Sequence, residues 1–151
     1  MTLGELLLSI PTSPPTPLHL FRLDEGVNRP PRILMVEDDM TIATMYRHQL
    51  QQDGFDVELA MDGVTGLHQV QAAPPDLVLL DVRLPKLDGL EVLRRMAADP
   101  RLAGLPVLFL SNYSDANTVR EGLSMGARDY LVKAQTTPAQ LVDKIRSYLA
   151  G

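Results

Sequence analysis

The stretch PDLVLLDVRLPKLDG, Pro75 to Gly89, runs four apolar residues, Leu77 to Leu80, straight into an aspartate, Asp81. Pro74 and Pro75 precede the run and Pro85 follows it. An apolar run this short, bounded by prolines, reads as a buried strand. A strand apolar on both faces belongs to a parallel sheet covered by helices. Asp81 then stands at the strand's end, partly removed from water, and needs partners to stay charged. Alone it would read as a turn cap, so what decides is which other residues reach the same place.

Outward from this stretch the pattern is strand then helix, repeated from Arg32 to the C-terminus. RILMV opens it, followed by a helix predicted from about Asp39 to Gln52 with Ile42, Tyr46 and Leu50 on one face, ended by Gly54. FDVELA is a second strand, placed nearer an edge by its alternation. Val64, Leu67 and Val70 mark a second helix. After the LVLLD strand, Asp88-Gly89 starts a third helix, with Leu90, Leu93 and Ala97 as its inner face. LPVLFLS is the fourth strand. Ala116, Val119 and Leu123 mark a fourth helix, closed by Gly126. DYLV is the fifth strand, and Pro138 opens a last helix whose stripe is Leu141, Ile145 and Leu149. Alternation of this kind predicts a parallel sheet with crossover helices. Five strands in about 120 residues point to the flavodoxin-like doubly wound α/β fold, with strand order 2-1-3-4-5 and helices on both faces.

Composition limits the function. The chain has 151 residues, a net charge of −5 and no cysteine. Zinc–thiolate sites, disulfides and cysteine catalysis are excluded, which fits a cytoplasmic protein. His19, His48 and His68 form no metal-ligand pair. The acidic balance and the lack of a basic recognition element predict no direct DNA binding. MTLGELLLSIP lacks a positive leading region, and Glu5 breaks its apolar run, so neither a secretion signal nor a membrane span is expected. Residues 1–31 carry six of the twelve prolines. They read as an extended arm with a short helical turn over Leu3 to Ile10; the alternatives are a disordered tail or a start assigned too early. Residues 32–151 read as one domain.

In open α/β sheets ligands bind beyond the carboxyl ends of the strands. Those ends are Glu37-Asp38-Asp39, Asp81, Ser111 and Lys133. Glu37, Asp38 and Asp81 repel one another if all are ionised, and a divalent cation relieves that. With only oxygen ligands on offer the cation is a hard one, and Mg²⁺ suits a few carboxylates plus retained waters. Lys133 adds a mobile positive charge and Ser111 a hydroxyl donor. Carboxylate, Mg²⁺, Lys and Ser together describe phosphoryl transfer, with an aspartate able to act as nucleophile. For Asp39, capping the first helix competes with helping the metal.

ILMVEDD, LVLLDVRLPKLDGLEVL, PVLFLS and GARDYLVK, in this order, resemble the receiver domain of two-component response regulators over about four fifths of the chain. The resemblance implies that Asp81 is the phospho-acceptor, supplied by a histidine kinase or a histidine phosphotransfer protein. It implies that Asp38, Asp81 and the backbone carbonyl of Arg83 hold Mg²⁺, with Glu37 helping through a water. Lys133 would contact the phosphoryl group, Ser111 would move toward it, and Tyr130 would change rotamer as Ser111 moves. Arg83, Asn112 and Tyr113 would flank the phosphoryl group, and screening by Tyr113 implies a long-lived one. Two departures stand out. The family often has Ala after the switch hydroxyl, and here the residue is Asn112. It usually has Lys-Pro after the fifth strand, and here the pair is Lys133-Ala134, so a different path after Lys133 is expected.

The reading is therefore a stand-alone signalling switch of the single-domain type, a phospho-acceptor rather than an enzyme. Its output is expected to be a partner protein, with a homodimer through helix four, strand five and helix five as a further option. The alternative is a phosphorylation-independent receiver-like interaction module. A haloacid-dehalogenase-type phosphatase is disfavoured because a second Asp is needed two residues after the nucleophile, where Arg83 stands. A dinucleotide enzyme is disfavoured because no G-x-G-x-x-G follows the first strand.

Overall fold

The computed structural model describes residues 29–150. The predicted N-terminal arm and its helical turn lie outside them, apart from residues 29–31. Five strands form one parallel sheet: β1 (Arg32–Val36), β2 (Asp56–Ala60), β3 (Leu77–Leu80), β4 (Val107–Ser111) and β5 (Asp129–Val132). Their order is β2-β1-β3-β4-β5, with β2 and β5 at the edges, as the alternation required. Five helices connect and follow them: α1 (Met40–Gln52), α2 (Gly63–Ala72), α3 (Gly89–Ala97), α4 (Ala116–Ser124) and α5 (Pro138–Ala150).

Pleating sends successive side chains to opposite faces, and this sequence fills both. Leu34, Val36, Val78, Leu80, Val107 and Phe109 pack with α2 and α3 through Leu67, Val70, Val92, Leu93 and Met96. Ile33, Met35, Leu77, Leu79, Leu108 and Leu110 pack with α1 and α5 through Tyr46, Leu50, Leu141 and Ile145. All four residues of β3 are buried, each worth about 1.5–3 kcal/mol relative to exposure. The central strand is therefore a firmly anchored place from which to present a side chain.

Aspartates start four of the helices. Asp39, Asp62, Asp88 and Asp115 accept the backbone N–H of Ile42, Thr65, Glu91 and Thr118 at 2.7–3.2 Å, each satisfying one orphan donor of a first turn. α5 uses a capping box: Thr137 Oγ1 accepts from Gln140 N–H, and Gln140 Oε1 accepts from Thr137 N–H. Gly54 and Gly126, at φ 94° and 109°, end α1 and α4 in the left-handed region that glycine tolerates.

Three helix faces differ from the sequence expectation. Val64 is exposed, and Gly63, Gly66, Leu67 and Val70 are buried instead. Ala97 is exposed, and the inner face of α3 is Val92, Leu93 and Met96. On α4, Ala116 and Leu123 are exposed and only Gly122 is buried. A Cβ at Gly122 would lie 2.9 Å from the Phe109 ring, so α4 sits too close to the sheet for a larger residue there. Helix period identified the stripes, but in α2 and α4 glycines mark the line of closest approach and an apolarity pattern passes over them, while in α3 the stripe is turned toward Val92 and Met96.

Candidate functional site

The carboxyl ends of β1, β3, β4 and β5 bring Glu37, Asp38, Asp81, Ser111 and Lys133 to one edge. Carboxylate oxygens of Glu37, Asp38 and Asp81 lie within 4.8 Å of one another. Glu37 and Asp81 are buried and Asp38 is exposed, so the group opens to solvent on one side. Lys133 Nζ donates to Asp81 Oδ2 at 2.8 Å and also to Glu37 Oε1. Glu37 Oε2 accepts the Asp39 N–H at 3.0 Å. Burial lifts the Glu37 carboxyl above its ordinary range, and the Lys133 hydrogen bond and Asp39 N–H offset this only in part. Burial alone would lower the Lys133 ammonium, but its hydrogen bonds to Asp81 and Glu37 outweigh that and hold it above its ordinary value.

Asp81 Oδ1 is buried with no hydrogen-bond partner among the described residues. An unpartnered buried carboxylate oxygen carries a desolvation penalty of about 1–3 kcal/mol or more. Asp38 and Glu37 each bring a carboxylate oxygen within 4.8 Å of an Asp81 oxygen, so the group suits a cation rather than another acceptor. With all ionised, three carboxylates and one ammonium leave two negative charges, which one divalent ion balances. The residues present therefore fit a hard divalent cation. Asp39, the doubtful member of the acidic run, spends Oδ1 on the cap of α1.

The loop between Asp81 and Asp88 is held by two glycines. A Cβ on Gly89 would lie 2.1 Å from the Asp81 carbonyl oxygen, and one on Gly63 would lie 1.8 Å from that of Leu87. Gly89 N–H donates to Val82 O at 2.8 Å, and Gly63 N–H to Pro85 O at 3.2 Å. The starts of α3 and α2 thus clamp the loop from both ends. Sequence reasoning gave Asp88-Gly89 the plain role of a helix start and assigned Gly63 none. The missed signal is that both capping aspartates are followed by glycine, which a cap alone does not require.

Beside Asp81, an open cleft of about 310 Å³ is lined by Asp81, Arg83, Ser111, Asn112, Tyr113 and Lys133. Ser111 is buried, and its Oγ accepts the Tyr113 N–H at 3.0 Å. The guanidinium carbon of Arg83 stands 3.7 Å from the centroid of the Tyr113 ring. Tyr130 packs against Phe109 with centroids 5.3 Å apart, and its hydroxyl donates to the Tyr113 carbonyl. Tyr113 therefore connects both expected switch residues: its N–H meets Ser111 and its carbonyl meets Tyr130. Asn112 lines the cleft, but its Oδ1 is engaged by the Ala134 N–H at 2.9 Å.

The response regulator receiver domain family matches residues 33–146. The DNA-binding response regulator MtrA of Mycobacterium tuberculosis is 40% identical over 118 residues, covering 78% of this chain and 50% of MtrA. The DNA-binding dual master transcriptional regulator RpaA of Synechocystis is 40% identical over 103 residues, covering 68% of this chain and 43% of RpaA. The chain spans about half the length of these curated relatives. Among solved structures, the BeF3-activated N-terminal receiver domain of Klebsiella pneumoniae RstA superposes with a TM-score of 0.73 at 32% identity, covering 80% of this chain and 99% of that one. The Vibrio cholerae chemotaxis protein CheY4 gives 0.73 at 29% identity, covering 79% and 98%.

These relatives correct two expectations about partners. The acidic balance and missing basic element were taken to exclude direct DNA binding, yet the similar proteins include some named as DNA-binding. Net charge describes the residues counted and says nothing of what a receiver works with, so the exclusion does not hold. Nor does the expectation that the output is a partner protein, since these relatives are named as DNA-binding. No helix among the described residues is long and apolar enough to cross a membrane. Fold, motif order and family match agree: the chain belongs to the receiver-domain family of two-component response regulators, whose members are phosphorylation-based signalling switches.

Proposed function

We propose that this receiver accepts a phosphoryl group on Asp81 from the phosphohistidine of a histidine kinase or a histidine phosphotransfer protein. A carboxylate oxygen of Asp81 attacks phosphorus, the P–N bond breaks, and its electron pair stays on the departing imidazole. One observation carries this reading: a carboxylate at the end of the central strand, with one oxygen held by Lys133, the other unpartnered among the described residues, and an open cleft beside it. Lys133 holds the acceptor in place and offers its ammonium to the incoming phosphoryl oxygens. Ser111 donates its hydroxyl to one of them, which its acceptor role toward Tyr113 leaves free to happen. Glu37, Asp38, Asp81 and the Arg83 carbonyl are the proposed holders of Mg²⁺, which when bound neutralises charge on the transferring group.

Residues 32–151 are read as the receiver and residues 1–31 as an arm, in the cytoplasm. The added charge acts on Ser111 and Tyr130 through Tyr113, and the changed surface carries the signal. Relatives named as DNA-binding regulators support transcription control as the class of output.

Intact mass after incubation with acetyl phosphate tests the proposal. One added phosphoryl group is expected with Mg²⁺, and removing the ion with EDTA is expected to abolish the addition. Failure with acetyl phosphate and with an activated kinase would leave the phosphorylation-independent module as the standing view.

Arg83 stacked on Tyr113 borders the acceptor cleft and limits the approach of water. Tyr113→Ala is expected to speed loss of the phosphoryl group roughly two- to fivefold, the scale of an exposed cation–π pair. Decay followed by intact mass checks this, and an unchanged half-life counts against screening.

A further inference from the structure

The two residues at which the sequence departs from the pattern it resembles touch each other. Asn112 follows Ser111 at the end of β4, and Ala134 follows Lys133 at the end of β5. Asn112 Oδ1 accepts the Ala134 N–H at 2.9 Å across 22 positions of sequence. A proline at 134 would have no N–H to give, and an alanine at 112 would have no oxygen to receive it. The two departures are one interaction.

Its place matters. Lys133–Gln135 is a single 3-10 turn. The first N–H groups of any helical turn have no partner inside it. Val132, at the cap position, makes no side-chain cap bond. From within, the turn is closed by Thr136, whose N–H reaches Lys133 O at 3.3 Å and whose hydroxyl donates to Val132 O at 2.8 Å. Asn112 supplies the missing cap from another strand. It thereby fixes the backbone that presents Lys133, whose Nζ must meet Asp81 and Glu37 together.

We propose that Asn112 is a positioning residue for phosphoryl transfer, a strap that holds the Lys133 turn and ties it to the Ser111 end of β4. The strap rests on the phospho-acceptor reading above. It acts through Lys133 and does not touch the reacting atoms.

A double-mutant cycle on the full chain tests it, with phosphoryl uptake from acetyl phosphate in Mg²⁺ followed by intact mass. Asn112→Ala is expected to slow uptake roughly three- to tenfold, the worth of one hydrogen bond of ordinary net strength. In an Ala134→Pro background, which has no N–H to hold, Asn112→Ala is expected to have no further effect. An Asn112→Ala rate equal to wild type would overturn the strap, and so would an undiminished effect in the proline background. A wild type that takes up no phosphoryl group would instead overturn the phospho-acceptor reading, and the strap's role with it.

Discussion

Asp81→Asn is expected to abolish phosphoryl uptake while leaving the fold intact. The amide has the size and shape of the carboxylate, and its oxygen still accepts from Lys133. It does not offer the anionic oxygen that attacks phosphorus. Uptake should fall roughly a thousandfold or more, the scale on which loss of a nucleophile acts. Intact mass with acetyl phosphate and Mg²⁺ measures the loss, and an unchanged circular dichroism spectrum confirms the fold. Uptake within a few-fold of wild type would move the acceptor elsewhere.

Gly89→Ala should act on stability. The added Cβ would meet the Asp81 carbonyl oxygen at 2.1 Å, its carbon at 2.9 Å and Val82 Cα at 3.0 Å. All three are backbone atoms, so no side-chain rotation relieves the overlap. Either α3 withdraws and loses the Gly89–Val82 hydrogen bond, or the Asp81 peptide moves out of register with Lys133. A loss of about 2–3 kcal/mol is expected, the upper range for overpacking. Urea unfolding would show it as a lower midpoint at unchanged slope. Gly54→Ala serves as a contrast: nothing lies within 4 Å of its Cβ, so only its left-handed φ is strained. Equal midpoints for Gly89→Ala and wild type would remove the clamp from the account.

The fold was legible in the sequence because local signals agreed with each other. Leu77 to Leu80 between prolines read as a short buried strand, and the aspartates and glycines at the helix ends punctuated the rest. The core of the site was legible for the same reason: Glu37, Asp81 and Lys133 stand directly after strands and Ser111 ends one, where this topology brings strand ends together. What escaped reading depends on distance between backbones. Gly63, Gly89 and Gly122 matter through the side chains they lack. The bond between Asn112 and Ala134 joins residues 22 positions apart through a backbone N–H, which no side-chain pattern announces. The faces of α2, α3 and α4 were misplaced where Val64, Ala97 and Leu123 supplied an apolar period that the packing does not use. The exclusion of DNA binding failed for a different reason, since it took the charge of a receiver as evidence about its output.

Reductive mapping of the phosphorylated chain would locate the acceptor. An aspartyl phosphate is reduced by borohydride to homoserine, and tandem mass spectrometry of the peptides then reads its position. Homoserine at residue 81, formed only after Mg²⁺-dependent phosphorylation, is the result predicted here. Homoserine at Asp38 or any other position, or none in a chain that has gained a phosphoryl group, would contradict it.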